Sequence, residues 1–361
     1  MNASGGKGAE AISHLAIRDC VLCFLANTHQ HPARTERCSG HACGAVSYNR
    51  GIKYVGDGAG ELPSGAGPSR PWRRERSLML VTTKEMLLDA QKNHYAVGAF
   101  NVENLEFVMA VLAAAEETKS PVIMQTTSGT IKKTGLDYFY GMVKAAAERA
   151  SVPVALHLDH GDGYDRCMKA LRTGYTSVMI DGSHEAFEDN IALTKLVADA
   201  GAAMGVPVEA ELGKVGGKED DVEVESESPY TDPVEAKEFV ERTGCTSLAI
   251  GVGTSHGVYT EEPHINQDVV KAIRAAVDVP LVLHGTSGVP DEQVAEAVKN
   301  GICKVNYATE LRQAYTKGFM AYMAENPACF DPKKPAKEGM REITELVKIR
   351  MTNLNSVGKA E

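Results

Sequence analysis

A (β/α)8 barrel is predicted from three observations. From Met79 onward, eight short apolar runs alternate with helical patterns. Prolines at 121, 153, 207 and 280 punctuate the entry to four of those runs. The polar residues that strand interiors reject gather at the C-terminal ends of the runs, which in a barrel of parallel strands all meet on the face where active sites are built. An open doubly wound sheet ranks second, because eight repeats exceed what one open sheet needs and no Gly-x-Gly-x-x-Gly opens a helix after the first strand.

The elements follow in order. Thr82 and Thr83, with Glu85 behind them, predict an amphipathic, N-capped helix running to about Asn93, ahead of the first strand. The strands are placed at 97–101, 122–126, 154–158, 177–181, 208–212, 247–251, 281–284 and 303–306. Helical patterns follow them, for example over 105–117, 186–199, 234–243 and 291–299. Residues 79–361 are one barrel domain, with an extra N-terminal helix and a C-terminal helical extension. Their length suits the roughly 250 residues that the fold usually takes, plus insertions.

Residues 1–78 read differently. Gly, Ser, Pro and Arg dominate them, and they are expected to be a disordered leader, of the kind that a mis-assigned start would produce. Cys20, Cys23, Cys38 and Cys43, with His29, His31 and His41, allow a small zinc module as the alternative. The stretch 11–27 carries Arg18 and Asp19 at its centre, unlike a signal peptide. The other four cysteines (Cys167, Cys245, Cys303, Cys329) are far apart, three of them in apolar or periodic segments. That suits free thiols in a reducing cytoplasm.

Across 361 residues the chain is 43% hydrophobic and 24% charged, ordinary for a globular protein. No run of about 18 apolar residues occurs, so no membrane span is expected. Net charge is −10. Residues 1–78 hold 10 Lys/Arg against 6 Asp/Glu, and the remaining 283 hold 28 against 42. An acidic body argues against nucleic acid as a partner.

The strand ends carry the chemistry. They are Asn101, Thr127, His157-Leu-Asp-His160, Asp181, Glu209 and Glu211, His256 just past the sixth strand, His284 and Asn306. Three neutral imidazoles at one rim, His160, His256 and His284, make a catalytic zinc set with an open fourth position. His157 reads as a barrel-interior or supporting residue, and His184 as a competing ligand. His94 and His264 read as surface. Asp159 and Glu219 are candidates for proton transfer, Glu219 on a glycine-flanked loop over 213–221 that reads as a mobile lid. Glu211 can back a histidine or bind metal in another state. Two strand-to-helix loops, His284-Gly-Thr-Ser-Gly288 and Asn306-Tyr-Ala-Thr309, suit phosphate. Asn101 and Thr127 are further candidate substrate contacts. Metal beside a phosphate cradle points to a phosphorylated carbonyl substrate and to aldol cleavage or isomerisation. Lys304, on the last strand, leaves a Schiff-base route open by pattern alone, although the histidines favour metal.

Read in order, Ala96-Val-Gly-Ala-Phe-Asn101, His157-Leu-Asp-His160, Met179-Ile-Asp-Gly-Ser-His184, Val208-Glu-Ala-Glu-Leu-Gly213 with Gly216-Gly-Lys-Glu-Asp220, Gly253-Thr-Ser-His-Gly257, Leu283-His-Gly-Thr-Ser-Gly288 and Cys303-Lys-Val-Asn-Tyr-Ala-Thr309 resemble the class II, metal-dependent ketose-bisphosphate aldolases. The resemblance implies zinc on His160, His256 and His284, and a second or alternative metal position at Asp181 and Glu211. It implies a catalytic Asp159 and a lid Glu219. Dihydroxyacetone-phosphate contacts are implied at Gly257, Gly285, Thr286, Ser287, Asn306, Tyr307, Ala308 and Thr309. It also implies a homodimer or homotetramer in the cytoplasm and a monovalent cation near the phosphate. Two positions depart from many fructose-specific members: Ala308 stands where they carry Asp, and Lys333 where a neighbouring subunit often supplies Arg.

The expected activity is reversible cleavage of a tagatose or fructose 1,6-bisphosphate. A zinc-dependent barrel hydrolase is the alternative enzyme, but it calls for a His-x-His pair where this chain has Ala99-Phe-Asn101. A non-catalytic metal-binding protein acting through the Cys/His leader is the alternative from another class.

Overall fold

The computed structural model describes residues 79–361, apart from 214, 220–221, 225–229 and 260–261. The leader and its Cys/His cluster therefore lie outside the described residues. Eight parallel strands close into a barrel: β1 (Val97–Asn101), β2 (Val122–Thr127), β3 (Val154–Gly161), β4 (Ser177–Ile180), β5 (Val208–Leu212), β8 (Ser247–Ile250), β10 (Leu281–Leu283) and β11 (Ile302–Tyr307), with β11 returning to pair with β1. Strands β6 (Gly216–Glu219), β7 (Val222–Val224) and β9 (Ser255–His256) form a separate small sheet.

Helices connect the barrel strands: α2 (Leu105–Thr118), α3 (Ser128–Thr134), α4 (Leu136–Ala147), α5 (Tyr164–Thr173), α6 (Phe187–Met204), α7 (Pro233–Thr243), α8 (Gln267–Ala276) and α9 (Asp291–Lys299). Local chemistry starts several of them. Asn104 accepts from Phe107 N to cap α2, and Asp232 accepts from Val234 N and Glu235 N, with Pro233 filling the first helical position of α7. The predicted C-terminal extension is α10 (Thr309–Glu325) and α11 (Lys333–Asn353), with α11 laid against both α10 and α2.

The predicted N-terminal helix is α1 (Thr83–Lys92). Its cap differs from the expectation. Thr82 has extended backbone but makes no side-chain cap bond, and the Thr83 hydroxyl donates instead to Ser177 Oγ (2.9 Å). Met86, Leu87 and Ala90 of α1 are buried with Tyr95, Val97, Ala99, Ile123 and Ala155, closing the N-terminal end of the barrel with apolar packing. Among the described residues, no helix is long and apolar enough to cross a membrane. Cys167, Cys245 and Cys303 are buried free thiols, and Cys329 is partly exposed.

Candidate active site

Parallel register stacks the inward residues in layers. Ala99 faces Ile123 and Ala155 at one level, and Asn101 meets Gln125 and His157 at the next. Asp159, opposite Thr127, comes after. Apolar side chains give way to polar ones toward the C-terminal mouth.

Alternation along a strand sends neighbours to opposite faces, so Asp159 and His160 should not both reach the mouth. A bulge brings them together. The β3–β4 register shifts between Leu158 and Gly161, and His160 takes the left-handed conformation (φ 44°). Gly161 makes the bend possible, since a Cβ there would stand 2.4 Å from the Met179 carbonyl oxygen. A strained backbone at a side chain that must be aimed is where function tends to sit.

His160, His256 and His284 converge, each offering a nitrogen within 4.8 Å of the others. His160 Nδ1 lies 2.8 Å from Asp181 Oδ2 and His284 Nε2 lies 2.9 Å from Glu209 Oε1. Ionised carboxylates only accept, so each of these ring nitrogens carries the proton. The opposite nitrogens, His160 Nε2 and His284 Nδ1, then hold lone pairs and face each other at 2.9 Å. With that assignment a cation at this point would be held by both rings. Three imidazoles, two of them tied to carboxylates through their outer nitrogens, form a donor set that suits a divalent metal. Burial lowers the His284 pKa to about 4, so the ring is neutral as a ligand must be.

The remaining acidic groups sort around this centre. Ser183 N and Oγ hold Asp181 Oδ1, which fixes Asp181 behind His160. Burial would raise the Asp181 pKa, but His160 and Ser183 hold it well below the usual carboxylate range. Asp181 and Glu211 (3.9 Å from His160 Nδ1) form a second possible metal group on the other face of the same ring. Asp159 is buried and accepts three side-chain amides: Asn101 Nδ2 (3.0 Å), Gln125 Nε2 (3.1 Å) and Asn306 Nδ2 (3.0 Å). Gln125 also donates to Asn101 Oδ1 (2.7 Å). The carboxylate is held rigidly at the mouth, one residue from a ligand.

Lys304 is fully buried and ion-paired with Glu209 (2.9 Å). Burial would raise the Glu209 pKa, but Lys304 and His284 hold it below the usual range. Lys304 is thus a structural counter-charge in the barrel interior rather than a Schiff-base amine. His157 is also interior, 2.8 Å from Ser177 Oγ and 3.5 Å from Lys304 Nζ.

Beside the histidines lies a cavity lined by Asn101, His256, Gly257, Gly285, Thr286, Ser287, Asn306, Ala308, Thr309 and Arg312. The start of α10 opens into it. Gly285 (φ 65°) lets its loop press against Ser255, since a Cβ would meet that backbone at 2.7 Å. The Tyr259 hydroxyl locks the same junction, accepting from Ser255 N (2.7 Å) and donating to Gly285 O (2.6 Å).

The other candidate residues are placed as follows. Thr127 does not line the cavity; its hydroxyl caps α3 by accepting from Thr130 N (3.2 Å). Tyr307 is buried on the outward face of β11, stacked on Phe100 (5.6 Å), so its side chain is core. His184 is exposed and stands outside the histidine cluster. Lys333, expected to serve the site of a neighbouring subunit, is exposed and paired with Asp331 (2.8 Å). The predicted lid is not an irregular loop: β6 pairs antiparallel with β7, and Gly216 and Gly217 pair parallel with Ser255 and His256. Glu219 ends β6, and its side chain lies outside what is described. Sequence reading missed Gln125, whose signal was its place two residues before Thr127 on the inward face. It also missed Arg312, three residues after Thr309 on one helix face.

The profile of the class-II fructose-bisphosphate aldolases matches residues 81–359. The chain belongs to that family. It is therefore an aldolase, a carbon–carbon lyase on a TIM barrel. Among solved structures, this aldolase is similar to the YdjI aldolase of Escherichia coli K12 (40% identity, 78% of this chain and 100% of that one, TM-score 0.68). It is also similar to a candidate fructose-1,6-bisphosphate aldolase of Coccidioides immitis (31% identity, 76% and 96%, TM-score 0.69). Fructose-bisphosphate aldolase of Campylobacter jejuni shares the fold at 24% identity (78% and 97%, TM-score 0.66).

Proposed function

We propose that this class-II aldolase is zinc-dependent and reversibly cleaves a ketose 1,6-bisphosphate to dihydroxyacetone phosphate and glyceraldehyde 3-phosphate. The observation that carries the reading is the convergence of the ring nitrogens of His160, His256 and His284, with Asn306 bridging His284 to Asp159. His160, His256 and His284 would hold the ion, and zinc, when bound, would supply a Lewis acid for the substrate carbonyl. Asp159 takes the proton of the C4 hydroxyl during cleavage and returns it to the aldehyde oxygen in synthesis. Its three amide partners fix its position, and a positioned base contributes roughly 10²–10⁴-fold. Glu219, on the hairpin that pairs with the His256 strand, exchanges the proton at the triose carbon that cleavage leaves behind. Two atoms change their proton, so two carboxylates divide the work. Asp181 and Glu211 supply the alternative metal position behind His160.

The phosphate rests against Gly257, the loop Gly285–Thr286–Ser287 and the start of α10 at Thr309, where backbone N–H groups and the helix dipole favour an anion. A monovalent cation accompanies it. A second copy of the chain completes the site through Lys333, which its own cavity does not use. Ala308 lines the cavity without a polar group. A site separates epimers strongly only where it offers a polar partner to the differing hydroxyl. Tagatose 1,6-bisphosphate is accordingly cleaved at least as well as fructose 1,6-bisphosphate. The test is a coupled triose-phosphate assay with both sugars, with and without chelator. Chelator-sensitive turnover of both supports the reading, and a fructose preference on the order of a hundredfold sinks the epimer assignment.

A further inference from the structure

Two of the three clustered histidines are placed by barrel strands, and the third is not. His160 lies within β3, and His284 follows Leu283, the last residue of β10. His256 comes after β8 has ended at Ile250 and residues 251–254 have intervened. The β8–β10 pairing stops at Ala249 and Val282, so barrel register leaves the separation of His256 from His284 open. β9, which holds His256, pairs instead with β6 of the small sheet. Tyr259 spans the gap. Its hydroxyl accepts from Ser255 N (2.7 Å) and donates to Gly285 O (2.6 Å). Each of those backbone groups is one residue from a histidine of the cluster. The Tyr259 ring packs on the barrel core, and a Cβ on Gly288 would stand 3.5 Å from it. The hydroxyl is therefore the aimed end of an anchored side chain. One oxygen joins the two loops where the ladder bonds of the strands have run out. Tyr259 does not line the cavity beside the histidines, so contact with substrate is not its role.

We propose that Tyr259 is a positioning residue for the metal, a clamp that sets His256 against His284 before the ion arrives. The proposal rests on the metal reading of the three histidines given above. A ligand on an unpaired loop must be ordered when the ion binds, and that cost is subtracted from the affinity. A hydroxyl that accepts from one loop and donates to the other orders both at once. The clamp needs the loops to lie close, and Gly285 allows it, since a Cβ there would meet the Ser255 backbone at 2.7 Å. Phenylalanine at 259 would keep the anchored ring and remove the oxygen that joins Ser255 N–H to Gly285 C=O. The loss should therefore fall on the metal site and not on the core.

The probe is zinc, titrated without substrate into the metal-stripped full chain against a chromophoric chelator. Tyr259→Phe should bind zinc about tenfold more weakly, at the lower edge of what loss of a group supporting metal ligands costs. With cobalt in place of zinc, the visible absorption bands should differ between wild type and Tyr259→Phe, because the two imidazoles are no longer fixed against each other. Tyr175→Phe is the control. It also removes a buried hydroxyl, but one bonded to Thr126 (2.9 Å) and not to a ligand loop, so its zinc affinity and cobalt bands should match wild type. Wild-type zinc affinity and cobalt bands in Tyr259→Phe overturn the proposal, whatever happens to the stability of the metal-free protein. An equal loss in Tyr175→Phe overturns it too, because the effect would then be a general loosening of the fold. If Tyr259→Phe fails to fold, Gly285→Ala is read in its place: its Cβ forces the same junction apart, and unchanged zinc affinity there counts equally against the clamp. A chain that loses zinc affinity in Tyr259→Phe but cleaves no ketose bisphosphate as wild type would remove the functional reading and leave this one standing. A wild type that takes up no zinc would remove both.

Discussion

The two ends of the barrel share eight strands and differ in what the inward positions carry. At the N-terminal end, Val97, Ala99, Ile123 and Ala155 pack against Met86 and Leu87 of α1, and the buried Thr83 hydroxyl is spent on Ser177. Two to four residues further along the same strands stand Asn101, Gln125, His157 and Asp159, buried and tied to one another or to charged partners. One end is a plug whose worth is stability. The other buries Asp159 and His284, groups that cost free energy to desolvate. A chain keeps such groups in place of aliphatic ones when they are needed for chemistry. Changes at the mouth should therefore act on turnover, and changes at the plug on folding.

The largest effect that could break this contrast is at the ligands. His284→Ala should release the metal and lower cleavage on the order of 10³-fold or more, since a Lewis acid is worth several kcal/mol to the transition state. Metal content and turnover on one preparation check it. Asp159→Ala comes next: cleavage should fall roughly 10²–10⁴-fold with zinc retained, while solvent exchange of the dihydroxyacetone-phosphate proton stays measurable. Glu219→Gln should depress both. Exchange lost completely in zinc-loaded Asp159→Ala would reverse the division of roles.

Between mouth and plug, Lys304→Met leaves Glu209 buried without its counter-charge and should cost about 3–5 kcal/mol in urea unfolding. Adding Glu209→Leu should recover part of that loss. At the plug, Met86→Ala should cost about 2–5 kcal/mol and leave kcat of the folded enzyme unchanged. A kcat loss there as large as at Asp159 would dissolve the contrast between the two ends.

The smallest effect is a pH slope. Burial, and then Lys304, hold the His157 pKa well below its ordinary 6.5. The unfolded chain binds a proton near pH 6.5 that the native ring refuses. The stability from this group is complete above pH 6.5 and is lost as pH falls toward the native pKa, by at most about 1.4 kcal/mol per pH unit. His157→Gln should flatten the unfolding free energy between pH 6.5 and 5 relative to wild type.

The barrel and its rim were legible because both rest on local pattern. Apolar runs mark buried strands, and a histidine or carboxylate ending such a run has one place to go. The three histidines and Asp159 were found that way, and the structure brings them together. What escaped needed backbone geometry or a distant partner. The bulge that turns His160 toward the same mouth as Asp159 depends on Gly161 fitting under the Met179 carbonyl. Thr127 looked like a substrate contact, but the nearest unsatisfied donor is the N–H of Thr130. Tyr307 was read with its loop, although strand parity with Lys304 and Asn306 turns it outward onto Phe100. The glycines at 216–217 suggested a loop, but their backbones pair with Ser255 and His256, a partner some forty residues away.

The central claim is that catalysis depends on a metal held by His160, His256 and His284, and that Lys304 is only a counter-charge. The most direct measurement strips the full chain of metal and titrates zinc back, reading bound zinc and ketose-bisphosphate cleavage in one sample. A borohydride quench in the presence of substrate is run alongside. The account predicts no turnover without metal, a rate that rises in proportion to bound zinc, and no adduct on any lysine. Full turnover in the metal-free protein, or a borohydride-trapped adduct at Lys304, would contradict it.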